Sequence, residues 1–137
     1  PSVTTAFPSV SYAVRPGLSV VVVPVERRAA AAAKFLVPSS GCSHAMDVSA
    51  AYSSFVIAGS QVSEVFAKLC TTDISAVADG ASVSCGMGGH SIIVGRHAKG
   101  FRVLVGRDEA EDLWELIVGA SPELVIGSWD TIREWLW

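Results

Sequence analysis

The chain has 137 residues, a length typical of one domain rather than of separate cofactor and substrate lobes. Half of its residues are hydrophobic, 17% are charged and the mean hydropathy is +0.46, which excludes intrinsic disorder and indicates that some apolar surface contacts a partner. The formal net charge of -3 disfavours a phosphate-neutralising surface. We therefore expect no nucleic-acid partner.

The sequence shows no pattern of a membrane span or a secretory signal. Its longest apolar run, Val20–Val25, contains Pro24 and is far shorter than the roughly 20 residues that a membrane helix needs. We expect a cytoplasmic protein with no membrane partner. The three cysteines, Cys42, Cys70 and Cys85, fit neither a disulfide framework nor a zinc ribbon. Reduced and mostly buried thiols are expected.

The N-terminal third combines an irregular segment with two short elements. Residues 1–17 contain Pro8 and Pro16 and show no helical periodicity, which predicts an extended arm. Leu18–Val25 is a β-branched run and is predicted as a strand. The alanine-rich segment Glu26–Lys34 is predicted as a helix that needs tertiary packing to persist.

The middle of the chain predicts a strand followed by an amphipathic helix. Tyr52–Ala58 reads as a strand, and Ser60 is a candidate N-cap for a helix over Gln61–Cys70. Apolar residues recur in that helix at i, i+3, i+4 and i+7, which predicts one buried stripe. The stripe consists of Val62, Val65, Phe66 and Leu69.

Three short strands and a second amphipathic helix are predicted next. The strands are Val83–Cys85, Ile92–Arg96 and Phe101–Val105, the last two joined by His97–Gly100 as a hairpin. Asp108 is a candidate N-cap, with Glu111 three residues later as in a capping box, and Gly119 is a candidate C-cap. The expected buried stripe consists of Ala110, Leu113, Trp114 and Ile117.

This order of elements predicts an α+β fold with a split β-α-β-like, largely antiparallel sheet and helices on one face. Residues 18–120 would form the single domain, between the arm 1–17 and a tail 121–137. The tail ends in a concentration of large apolar side chains, Trp129, Ile132, Trp135, Leu136 and Trp137. We expect these five residues to form a partner interface. The alternative is that the tail folds back on its own sheet.

The candidate chemical motifs all have a simpler structural interpretation. Gly86-Met87-Gly88-Gly89 matches neither phosphate-loop pattern, and a strand rather than a helix follows it, which favours a tight turn. The histidines His44, His90 and His97 lack metal-ligand spacing. Cys70, at the C-terminal end of a helix, is expected to have a raised thiol pKa. We therefore predict no catalytic, cofactor-binding or metal-binding residue in this chain.

Several short motifs follow one another in order between residues 47 and 118. They are Asp47-Val48-Ser49, a strand, Gly59, a helix with Leu69, and Thr71-Thr72-Asp73-Ile74-Ser75. This order resembles the aminomethyltransferase superfamily of the glycine-cleavage T-protein. Farther on, Gly100-Phe101-Arg102-Val103-Leu104-Val105 followed by Asp112-Leu113-Trp114 is most similar to the small gamma subunits of heterotetrameric sarcosine oxidases. The resemblance covers roughly half of the chain and implies a fragment of the folate-binding fold.

One departure from the family pattern concerns its catalytic acids. Where the family has two acidic residues shortly after a glycine pair, this sequence reads Gly88-Gly89-His90-Ser91-Ile92-Ile93 and contains neither acid. Folate-dependent methyl transfer needs a carboxylate to handle a proton and an iminium charge, and neither His90 nor Ser91 supplies a fixed negative charge. The resemblance therefore implies a noncatalytic relative.

The resemblance also implies a function and partners. The chain would be a gamma-like subunit that supports assembly of larger flavoprotein subunits, which oxidise an N-methyl amine such as sarcosine. It would bind no cofactor itself, and FAD, FMN, NAD and folate would belong to the partner subunits. Two alternatives stay open: a stand-alone self-associating binding module, and a small folate-dependent aminomethyltransferase-like protein.

Overall fold

The computed structural model describes residues 9–36, 44–97 and 100–121. These residues form a mixed α+β fold with antiparallel sheets and three α-helices. The strands are β1 (Val10–Arg15), β2 (Leu18–Val22), β3 (Tyr52–Ile57), β4 (Ser82–Met87), β5 (His90–His97) and β6 (Gly100–Gly106). The helices are α1 (Arg28–Phe35), α2 (Val62–Leu69) and α3 (Ala110–Ala120). Short 3-10 turns cover Val25–Arg27, Ile74–Ala76 and Arg107–Glu109.

The main sheet has four strands in the order β3-β6-β5-β4, and every neighbouring pair is antiparallel. The antiparallel prediction is confirmed. The strands that flank α2, β3 and β4, lie at opposite edges of the sheet, and three antiparallel steps make them antiparallel to each other. This differs from the expected split β-α-β unit, whose two strands are parallel. The reason is that β5 and β6 return as consecutive hairpin strands, and both lie between β3 and β4.

One face of this sheet packs against the two amphipathic helices. Most of both predicted stripes points into the resulting core: Val62, Val65 and Phe66 of α2 are buried, as are Leu113 and Ile117 of α3. The prediction is wrong for Trp114, which is exposed because it lies beside the sheet edge instead of under the sheet. Alternate residues of the two central strands supply the other side of the core. They are Ile92 and Val94 of β5 with Phe101, Val103 and Val105 of β6.

The opposite face of the sheet is covered by the hairpin β1–β2. Tyr12 of β1 packs on Ile93 and Leu104, and the Ser84 hydroxyl of β4 donates a hydrogen bond of 3.2 Å to the Val14 carbonyl. Part of the segment predicted as an arm thus forms a strand and a third layer. Because both faces of β5 and β6 are covered, their side chains are buried on successive rather than alternate positions.

The helix ends differ from the predicted caps. The N-cap residue of α2 is Gln61 rather than Ser60, and that of α3 is Glu109 rather than Asp108; neither makes a side-chain capping hydrogen bond. Asp108 lies in the 3-10 turn Arg107–Glu109, which begins where the Arg107 amide donates to the Ala51 carbonyl. Gly119 is an internal residue of α3 rather than its C-cap. Tertiary contacts therefore moved these boundaries by one or two residues.

The five apolar tail residues Trp129, Ile132, Trp135, Leu136 and Trp137 lie outside the described residues. Within the described ranges, the helices are all too short to cross a membrane.

Candidate functional site

The glycine-rich stretch is the turn of a β-hairpin. Gly88 and Gly89 have φ angles of 58° and 90°, and the flanking residues Met87 and His90 pair across β4 and β5. Positive φ at both central positions is the requirement of a type I′ turn, which two glycines meet without strain. The prediction of a tight turn instead of a phosphate loop is confirmed.

The three histidines occupy unrelated sites. His90 is half-buried at the start of β5, and its Nδ1 lies 3.3 Å from Oε1 of Glu109, which faces it from the turn that leads into α3. His44 is exposed, and His97 lies at the far end of β5. Among residues 9–36, 44–97 and 100–121, no three histidine, cysteine or acidic side chains form a cluster suited to a metal ion.

Two half-buried thiols meet on the helix-covered face of the sheet. Cys70 forms an isolated bridge with Met87 of β4, which places it beside Cys85 on the same strand. Burial and then the neighbouring Cys85 raise the pKa of the Cys70 thiol to about 12. The direction agrees with the prediction, although its causes are burial and a second thiol rather than the helix dipole. Both cysteines are free, and Cys42 lies outside the described residues.

Two motifs of the family resemblance fold into the same local structure. Oδ1 of Asp47 accepts hydrogen bonds from the Ser49 amide and hydroxyl, at 2.9 and 2.5 Å. Oδ1 of Asp73 accepts the same pair from Ser75 at the same distances. Both turns lower the pKa of the aspartate, that of Asp47 to about 2. Nη2 of Arg28 in α1 also forms a salt bridge of 2.9 Å with Oδ2 of Asp47. This contact links α1 to the segment that enters β3.

A polar network under the hairpin β1–β2 was not predicted. The hydroxyl of Tyr12 lies 2.7 Å from Nε2 of His97; burial raises the pKa of Tyr12, and the neighbouring Arg102 guanidinium opposes that shift. Tyr12 is 1% exposed and Arg102 is 2% exposed. A tyrosine hydroxyl can both donate and accept, so it can pair with Nε2 of His97 in either imidazole tautomer. The only sequence signal was an arginine in the middle of an otherwise apolar strand.

A cleft opens at the C-terminal end of α2. Its volume is about 430 Å³, within the usual range for small-molecule sites. It is lined by Ser63, Phe66, Ala67, Cys70, Thr71, Thr72, Asp73, Ile74, Ser75 and Phe101. Most of its polar groups come from the single loop that follows Cys70. The cleft residues were not predicted as a site.

An aromatic pair lies at the edge of the sheet that β3 forms. The rings of Phe55 on β3 and Trp114 on α3 lie 5.4 Å apart, and Trp114 remains 37% exposed. In the described part of the chain, β3 pairs only with β6, so its outer backbone groups face no strand. We call β3 together with Trp114 the β3 edge. The tail was the interface expected from sequence, and this second surface was missed.

Comparison with known proteins finds no family model, no curated protein and no solved structure that matches this chain. The resemblance to the aminomethyltransferase superfamily stays a prediction.

Proposed function

We propose that this chain is a noncatalytic, gamma-like subunit of a multi-subunit flavin-dependent amine oxidase or dehydrogenase of the sarcosine-oxidase type. It supports assembly of the larger flavoprotein subunits, which carry FAD, FMN, NAD or folate. The fold is proposed as a fragment of the aminomethyltransferase folate-binding fold. The observation that carries the proposal is the β3 edge.

The β3 edge has the properties of a protein-binding surface. The strand Tyr52–Ile57 contains neither a charged residue nor a proline, the two devices by which proteins usually prevent an edge from pairing. Beside it, Trp114 presents an exposed aromatic surface supported by Phe55. Backbone pairing plus a partly buried tryptophan is a combination that favours a stable interface.

The class of partner rests on the motif order between residues 47 and 118. In the structure, Asp47-Val48-Ser49 and Asp73-Ile74-Ser75 form matching turns at the entry to β3 and after α2. Motifs with such local roles are compatible with a subunit that retains a scaffold without its chemistry. The second candidate, a self-associating binding module, is favoured by the same edge, because an unprotected strand can pair with a second copy of itself.

Purification of the tagged full-length chain from its native cells, followed by native mass spectrometry, tests the proposal. A yellow hetero-oligomer that contains this chain is the expected result. Trp114→Ala should weaken assembly by about tenfold, a loss of ~1.4 kcal/mol. Leu116→Ala is the matched control, because Leu116 lies on the same helix with 36% exposure but points toward the Gly88 turn.

Three results would count against the proposed function. A homodimer sensitive to Trp114→Ala would favour the self-associating module. A monomer that co-purifies with no flavoprotein would overturn both. Equal effects of the two alanine variants would show that the β3 edge is not the interface.

A further inference from the structure

The cleft at the end of α2 combines an apolar floor with a polar rim. Phe66 and Phe101 pack against each other at 5.0 Å between ring centroids and, with Ile74, close the floor. The polar residues Thr71, Thr72 and Ser75 also line the cleft, and the Ser75 hydroxyl is hydrogen-bonded to Asp73. This is the usual composition of a small-molecule site, in which apolar contacts give affinity and a few polar groups fix orientation.

Asp73 gives the rim its charge. It is the only ionisable carboxylate among the lining residues, all of which are described, and none of them is basic. Its Oδ1 is occupied by the amide and hydroxyl of Ser75. These hydrogen bonds lower the pKa of the carboxyl group, so Asp73 is ionised at neutral pH.

The side chain of Arg96 fixes the loop that carries Asp73. Nη1 of Arg96 donates hydrogen bonds to the carbonyls of Ser75 and Val77, at 3.2 and 2.8 Å, and the guanidinium lies 5.8 Å from the Phe101 ring. Arg96 does not line the cleft. It fixes the backbone that presents the carboxylate, as a supporting residue of a preorganised site does.

We propose that this cleft binds a small organic cation, with the alkylammonium group at the carboxylate of Asp73 and its alkyl groups on the floor formed by Phe66 and Phe101. An anion would meet the Asp73 charge without a cationic partner in the lining. A neutral apolar molecule would leave the carboxylate and the polar rim unused. A cation with apolar substituents satisfies both parts of the cleft.

The test compares choline with 3,3-dimethyl-1-butanol. This compound is the uncharged analogue of choline in which a carbon atom replaces the ammonium nitrogen. Both compounds are titrated into the full chain while amide chemical shifts are followed by NMR. Choline should bind about fivefold more tightly, since an exposed carboxylate contributes only modestly. The largest shifts should fall on residues 70–75.

Two variants separate this site from general surface binding. Asp73→Asn preserves the turn but removes the charge, and should make the two affinities equal within about twofold. Asp112→Asn, on the exposed side of α3, is the matched control and should retain the preference for choline. Ala67→Trp fills the cleft and should abolish binding of both compounds.

Equal affinity for the two compounds in the unmodified chain, the absence of saturable shifts, or shifts outside residues 63–75 and 101 would overturn the proposal. Loss of the preference in Asp112→Asn would do so as well. None of these results depends on the subunit function, because the test needs no partner.

Discussion

Tyr12 links the hairpin β1–β2 to two titratable groups on the sheet. Its hydroxyl lies between Nε2 of His97 and the buried Arg102 guanidinium. A buried cation requires polar neighbours to offset its lost hydration, and the Tyr12 phenol lies beside the guanidinium. Burial, opposed by the tyrosine, lowers the pKa of Arg102. This single side chain therefore couples the docking of the hairpin to the electrostatics of the sheet.

Tyr12→Phe should lower the free energy of unfolding by about 1–3 kcal/mol, because it removes the hydroxyl that pairs with His97 and that lies beside the buried Arg102 charge. Urea denaturation measures the change. Tyr52→Phe is the control, since Tyr52 packs against the same apolar cluster at the edge strand and should cost less. An equal loss in both variants would show that ring packing rather than the network carries the stability.

His97 should make the protein sensitive to mild acid. Burial, followed by the charge of Arg102, lowers the pKa of His97 below its ordinary 6.5, and the charge of Asp79 opposes that shift. The unfolded chain therefore takes up a proton at a higher pH than the folded chain. The free energy of unfolding should be constant above about pH 6.5 and fall as the pH drops from there toward about pH 5.

Thermal unfolding between pH 8 and pH 5 measures this acid dependence. His97→Gln, which keeps an acceptor for Tyr12, should flatten it. His44→Gln, at an exposed position remote from the network, should leave it unchanged. An unaltered acid slope in His97→Gln would mean that other groups are responsible.

The hairpin β1–β2 can cover the sheet because β5 lacks a side chain where Tyr12 crosses it. A Cβ atom at Gly95 would overlap the Tyr12 ring. Gly95 faces Arg102 across the strand pair, so the missing side chain also lets the phenol reach the guanidinium. The glycine that weakens strand propensity thus permits the third layer.

Gly95→Ala should lower the free energy of unfolding by about 1–3 kcal/mol, since the hairpin has to shift away from the sheet. Gly119→Ala is the opposite case: it lies inside α3 with no atom within 4 Å of an added Cβ and should raise stability by about 0.5–1 kcal/mol. Chemical denaturation of both variants gives the comparison. The two substitutions should change the free energy of unfolding in opposite directions. A stabilised Gly95→Ala protein would contradict the described docking of Tyr12.

At the scale of the whole molecule, the described residues form three layers: helices α2 and α3, the four-stranded sheet, and the hairpin β1–β2. This arrangement buries both faces of the central strands but leaves the β3 edge uncovered within the described part of the chain. Two candidate partner surfaces result: the β3 edge and the apolar tail of the sequence. Deletion of the tail distinguishes between these two surfaces.

Deletion of residues 128–137 should leave the circular dichroism spectrum of the folded chain intact and abolish its co-purification with the flavoprotein subunits. The physical reason is that each tryptophan of the tail can bury on the order of 150–250 Å² in an interface. Unfolding of the truncated chain would instead place these side chains in its own core. Retained assembly would leave the β3 edge as the sufficient contact.

Cofactor binding by the isolated full chain gives a separate test of the proposed function. The isolated full chain should bind neither flavin nor folate stoichiometrically by calorimetry, since the sequence contains no phosphate-binding loop and the family's two acids are missing from the stretch Gly88–Ile93. Stoichiometric binding of either compound would contradict the noncatalytic assignment.

The sequence by itself determined the local elements whose pattern is strong. The apolar stripe of α2, the β-branched runs of β5 and β6, and the double glycine of the hairpin each follow from short-range periodicity or from a required backbone angle. Helix ends were less well predicted: the backbone contact of Arg107 with Ala51 begins a 3-10 turn that contains Asp108, and α2 begins one residue after the predicted start without a side-chain cap.

Only the tertiary structure decided the strand order, the third layer and the candidate sites. The network of Tyr12, His97 and Arg102 joins residues 85 positions apart, and the cleft brings Phe101 to a loop that ends at Ser75. Periodicity carries no information about which distant segments meet, since that depends on how faces compete for burial over the whole sheet. For the same reason, the sequence alone did not show that β3 lies at an exposed edge of the sheet while β6 lies in its centre with both faces covered.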